Sequence, residues 1–93
     1  MIKVKTNGEK AWVTFTVTPS ERVESISLSG IWNDWEEEPM KQKKSGEFFI
    51  TKILKVGEIY QFGYKINECE WTTDEGCPNV PSPFFSQNSL LEL

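Results

Sequence analysis

The feature that most constrains this chain is a hydrophobic period of two. Val13, Phe15 and Val17 alternate with Trp12, Thr14 and Thr16, and Pro19-Ser20 ends the run. Ile26 and Leu28 alternate with serines up to Gly30. The run GEFFITKIL (46–54) is rich in strand formers and follows the turn KKSG. Val56-Gly57 then leads into IYQFGYKIN, where Tyr60, Phe62, Tyr64 and Ile66 share one face. Leu90, Leu91 and Leu93 mark a last short strand. Apolar stripes at helical spacing are absent, so the pattern predicts short strands separated by turns. The opening IKVK before Asn7-Gly8 reads as an edge strand or a frayed arm. The stretch TTDEGCPNVPSPFFSQ (72–87) holds three of the five prolines and has no period, so it reads as a long loop. Strands at about ten-residue spacing predict an all-β chain folded as one antiparallel β-sandwich domain over residues 1–93. The Cys…Trp…Cys arrangement of antibody domains is missing, so a likeness to immunoglobulins is one of architecture.

A chain of 93 residues buries roughly 60–65% of its unfolded surface, enough for a thin core and no deep cleft. Aromatics make up 13% of it, four of them tryptophan, which is heavy for so small a core. The net charge of −4 argues against nucleic acid, whose phosphates are neutralised by lysine and arginine. No apolar run approaches the roughly 18–20 residues that cross a bilayer, so no membrane partner is expected. MIKVKTNGEK lacks a secretory h-region, so the expected location is cytoplasmic. Cys69 and Cys77, with no histidine, fit neither a zinc set nor a redox CxxC. Reduced thiols are expected of them; a local disulfide is the alternative. No cofactor or metal is expected.

In SLSGIWNDWEEEPM (27–40) two tryptophans stand three residues apart in the most polar part of the chain. Trp35 (NDWEEE) and Trp71 (ECEWTTDE) sit among residues that core strands avoid. The C–H face of a glucose ring is flat and apolar, so an exposed indole can stack on it while nearby amides and hydroxyls orient the sugar. Equally, each indole could fold over the core edge with its N–H satisfied, and spacing alone leaves both readings open. Trp32, directly after Gly30-Ile31, is the better candidate for burial, and Trp12 fits either side. The acidic knot of Asp34, Glu36, Glu37 and Glu38 reads as a solvated turn rather than a glycosidase pair or a calcium loop. With no nucleophile–base pair, phosphate loop or dinucleotide fingerprint, the chain is not expected to be an enzyme.

Together these residues resemble the glycogen- and starch-binding module, carbohydrate-binding module family 48, over about residues 12 to 93. Gly30-Ile31-Trp32-Asn33-Asp34-Trp35 followed by Met40 stands at the family's first motif, and Gly46-Glu47-Phe48 opens the next strand. The run from Val56 to Asn67, VGEIYQFGYKIN, stands at its long motif, Trp71, Asp74 and Pro78 follow, and Phe85-Ser86-Gln87-Asn88-Ser89 leads into the last strand. The resemblance implies an immunoglobulin-like, early-set β-sandwich that binds α-1,4-glucan without catalysis. It puts the stacking tryptophans at Trp35 and Trp71, expected to lie coplanar and exposed on one side of the sandwich, a buried aromatic at Trp32, sugar-contacting groups at Asn88 and Ser86, and an apolar finger at Phe84. The family's sugar-binding lysine falls at Gly63, so that hydrogen bond is lost; Lys65, two residues on, lies on the same strand face. Asn67-Glu68-Cys69-Glu70 is one residue longer than the family turn and shifts Trp71.

The expected partner is glycogen, starch or a maltooligosaccharide, with an enzyme on a separate chain as a further possible associate. The alternative is a protein-interaction domain of the same fold, with the sugar face reused to dock a partner enzyme or kinase. Hot spots of such interfaces also favour tryptophan.

Overall fold

The computed structural model describes residues 1–19, 23–82 and 87–93. Its strands are β1 (Ile2–Asn7), β2 (Lys10–Val17), β3 (Ile26–Gly30), β4 (Glu38–Pro39), β5 (Lys41–Gln42), β6 (Phe48–Lys55), β7 (Ile59–Ile66), β8 (Glu70–Thr72), β9 (Asn79–Pro81) and β10 (Gln87–Glu92). A 3-10 turn, Ile31–Asn33, follows β3. One sheet runs β1-β2-β6-β5, and the other β4-β3-β7-β10-β9 with β8 also paired to β7. Every pairing is antiparallel, and the two sheets form a sandwich of the immunoglobulin-like kind.

Alternation decides which side chains meet between the sheets. Ala11, Val13 and Phe15 of β2 face Leu28 of β3 and Phe62 and Tyr64 of β7, all buried. The Phe15 and Phe62 rings lie 5.1 Å apart at 66°, the edge-to-face arrangement that ring quadrupoles favour. The opening segment is an edge strand, β1, held along its length by β2. The stretch 72–87 is not all loop. It contains β9, and the last residue of β8 is Thr72. Three residues are too few to show a period, so these strands depend on the neighbours that template them.

Residues 64–66 of β7 pair with β3 and with β8, whereas residues 59–62 pair with β10. A strand has only two edges, so β8 and β10 lie end to end along the same edge of β7. Gly63 falls at the junction.

Candidate functional site

On β7, Tyr60, Phe62, Tyr64 and Ile66 take the inner face. Gln61, Gly63 and Lys65 therefore take the outer one. Trp71 on β8 is the register partner of Lys65, which makes Gly63 its diagonal neighbour. Aromatic side chains reach across that diagonal, and the indole lies directly on the glycine. A Cβ at position 63 would stand 2.1 Å from Trp71 Cζ2. Trp71 Nε1 donates to the Gln87 carbonyl at 2.7 Å, tying β8 to β10 across the gap between them. A glycine at position 63 thus has a physical reason, because the ring occupies the space where any side chain would begin.

Trp35 reaches the same face from the loop after β3. Asp34 and Trp35 both hold left-handed backbone, with φ of 59° and 64°. Such a conformation is uncommon for a bulky side chain and costs on the order of 1–3 kcal/mol per residue. The Trp35 N–H donates to the Gly30 carbonyl at 2.9 Å and closes the loop on the strand end. The Trp35 and Trp71 rings then lie 6.2 Å apart at an interplanar angle of 54°. Both are half-buried and in contact, so they form an angled pair and not the coplanar, exposed floor expected of them. Tilted contact between the rings is itself favourable, so the pair holds its own angle.

Lys65 stands beside Trp71, with its ammonium 3.5 Å from a Glu37 carboxylate oxygen. Asn88, on β10, is 1% exposed. Its Nδ2 donates to Gln61 Oε1 at 3.2 Å, and its buried Oδ1 has no hydrogen-bond partner among the described residues. The fold therefore brings four of the expected residues, Trp35, Trp71, Lys65 and Asn88, to the outer face of the six-stranded sheet. Phe84 and Ser86, the other two, lie outside the described residues. Glu37 and Gln61 are parts of the site that the sequence reading does not pick out, and for Gly63 it does not foresee the covering ring. For Gln61 and Gly63 the signal was present, because placing Tyr60, Phe62 and Tyr64 inward sends the residues between them outward.

Trp32 takes the opposite role. Its ring packs against Phe15, Tyr60 and Phe62 at 5.6, 6.1 and 6.2 Å. It also covers Gly30, where a Cβ would come within 2.4 Å of the ring. Its N–H donates to Glu38, whose carboxylate also accepts from Asn33 Nδ2 and from the Lys52 ammonium. The ring closes the core edge with its polar atom satisfied.

Below the site, Asp74 holds the chain that follows Trp71. Its carboxylate accepts from Tyr64 Oη at 2.7 Å, from the Gly76 N–H at 2.8 Å and from the amino group of Met1 at 3.2 Å. Its own N–H donates to Ser89 Oγ at 2.7 Å. Burial pushes the Asp74 carboxyl up, but these donors outweigh it and hold the group below the usual carboxylate range. Burial raises the Tyr64 hydroxyl and the Cys77 thiol, and in each the Asp74 charge adds to the effect. Cys77 is therefore a protonated thiol at neutral pH, and both cysteines are unbridged. Among the described residues, no three metal-ligating side chains of the His, Cys, Asp and Glu types come together. No helix among them is long and apolar enough to cross a membrane.

Compared with known proteins, the chain matches no family model and no curated protein.

Proposed function

We propose that this chain is a non-catalytic module that binds α-1,4-glucan, with Trp35 and Trp71 as its stacking platform. The observation that carries this reading is the indole pair itself. Two tryptophans, one on strand β8 and one on strained loop backbone, meet at 54° on the outside of a sheet. An α-1,4 chain coils, so its successive glucose rings are turned relative to one another. Angled indoles suit that curvature better than the flat ribbon of a β-1,4 chain. Lys65 supplies a polar group at the margin, whereas Asn88 is buried beneath the face. Two stacks and a few wet hydrogen bonds correspond to weak affinity, about 10 μM to 1 mM.

The test is retention on glycogen or β-cyclodextrin, together with the indole N–H signals during titration with maltoheptaose. Wild type should be retained and the Trp35 and Trp71 signals should move. Trp35→Ala should lose retention while keeping its fold. Retention by that variant would defeat the site assignment.

One observation favours a second reading, a protein-docking face. Glu37 already engages Lys65, and acidic side chains flank the indoles, which suits a basic partner as well as a neutral sugar. Indole signals that ignore the sugar and move only with a protein partner would select that reading.

A further inference from the structure

The other sheet turns a different surface to solvent. Its strands β1, β2, β5 and β6 contain no aspartate or glutamate, although the chain has 14 acidic residues against 10 basic ones. The register sets Lys5, Trp12 and Ile53 side by side across the outward face. Lys10 and Lys55 are partners in the row on one side, Lys3 stands in the row on the other, and Lys41 is on β5. None of these five lysines makes an ion pair with a described residue, whereas Lys52 and Lys65 both do. At the centre, Trp12 is 36% and Ile53 57% exposed. A chain with net charge −4 thus presents a lysine-ringed apolar pair on one broad face, while Asp34, Glu36 and Glu37 belong to the loop that carries Trp35 on the other sheet.

We propose that this face docks on an anionic lipid surface, with Trp12 and Ile53 entering the interfacial layer and the lysines lying over the headgroups. Four strands by four outward rows make a patch of roughly 14 by 20 Å. That is well short of the roughly 800 Å² each partner gives to a standard protein interface, and lysine is depleted from such interfaces. Single-stranded nucleic acid is held by successive stacked bases. Beside Trp12 the register instead places an aliphatic residue, Thr14 and Thr51 fill the neighbouring row, and the other outward aromatic, Phe49, stands a further row away with the Lys43 ammonium 5.3 Å from its ring centre. A bilayer asks for no cleft. It takes tryptophan at its interface and gains from an inserted isoleucine. Stacked sheets lie about 10 Å apart, which sets the acidic loops of the far sheet on the side turned away from the docked surface. The expectation of no membrane partner came from the lack of a spanning run, and surface docking does not need one. The glucan platform is on the opposite outer face, so the two surfaces can be occupied together.

The experiment is sedimentation of the intact chain with phosphatidylcholine vesicles, with and without phosphatidylserine. Binding is expected only to the anionic vesicles and should fall as salt rises. Lys5→Gln, Lys10→Gln and Lys55→Gln should each weaken it about fivefold. Trp12→Ala should weaken it about tenfold through lost apolar entry. Trp35→Ala, Glu36→Gln and Glu37→Gln, on the other sheet, should leave it unchanged, which separates this face from the glucan site. Circular dichroism of each variant distinguishes lost binding from lost fold. Equal binding to neutral vesicles, no binding to anionic vesicles at low salt, insensitivity to the lysine variants, or preference for a single-stranded oligonucleotide would each overturn the proposal.

Discussion

Gly63→Ala tests the stacked geometry most directly. The new Cβ would stand 2.1 Å from Trp71 Cζ2 and 2.6 Å from Cε2, against an ordinary carbon–carbon contact of about 3.5–4.0 Å. The ring must therefore withdraw by about 1.4 Å or more. The backbone cannot yield instead, because Gly63 is held in the middle of β7 by its pairing with Ser29. Overpacking of this kind costs about 1–3 kcal/mol. Withdrawal also stretches the 2.7 Å bond from Trp71 Nε1 to the Gln87 carbonyl, worth about 1 kcal/mol. Alanine recovers about 0.5–1 kcal/mol of the chain entropy that glycine forfeits in a strand. The net loss is about 1–3 kcal/mol, or roughly 5–20 °C in Tm for a domain of this size. Urea and thermal unfolding, followed by tryptophan fluorescence, measure it. In a Trp71→Ala background the obstacle is gone, so the same Gly63→Ala change should become neutral or stabilising. Equal costs in the two backgrounds would refute the claim that the indole lies on the glycine.

Three further outcomes follow from the same geometry. Asp74 has a lowered carboxyl pKa in the fold, so the stability it contributes is complete above about pH 4 and is lost as pH falls through the lower folded value. Urea midpoints measured from pH 6 to pH 2 should drop in acid for the wild type and change less for Asp74→Asn. Glu38→Ala leaves the Trp32, Asn33 and Lys52 donors without their acceptor and should cost about 2–3 kcal/mol, with Glu38→Gln costing less; chemical denaturation compares the two. Glucan is uncharged, so its affinity in calorimetry should hardly change with ionic strength, whereas an electrostatic partner at the same face would weaken steeply.

Much of the fold is legible in the alternation. Val13-Phe15-Val17 and Tyr60-Phe62-Tyr64-Ile66 each mark a buried face, and the observed β2 and β7 put those residues inward. Only long pairings leave such a trace. β4 and β5 have two residues each, and β8 and β9 three, so what makes them strands is the neighbour's free edge. For the site, the polar neighbours of Trp35 and Trp71 leave exposure and burial at the core edge both open, and they cannot say that the rings touch or at what angle. That angle depends on the left-handed backbone at Asp34 and Trp35 and on a turn with Asn67 and Glu68 at φ of 51° and 62°. Neither position carries a glycine to announce it. Net charge misleads in a similar way: a sum of −4 hides the acid-free sheet, because only strand register sorts charges onto faces.

Two tryptophans lie on two glycines of one sheet, and strand parity alone separates their roles. Gly30 pairs with Phe62, so both point inward, and the ring covering Gly30 belongs to the core. Gly63 is the next residue along β7 and points outward, so the ring covering it belongs to the surface. The turn after β7 sets Trp71 opposite Lys65 and diagonal to position 63. In that register the indole fills the space into which any side chain at 63 would grow. A side chain at position 63 and this placement of Trp71 exclude each other. Gly63→Lys should therefore displace Trp71 and weaken glucan retention instead of adding a hydrogen bond.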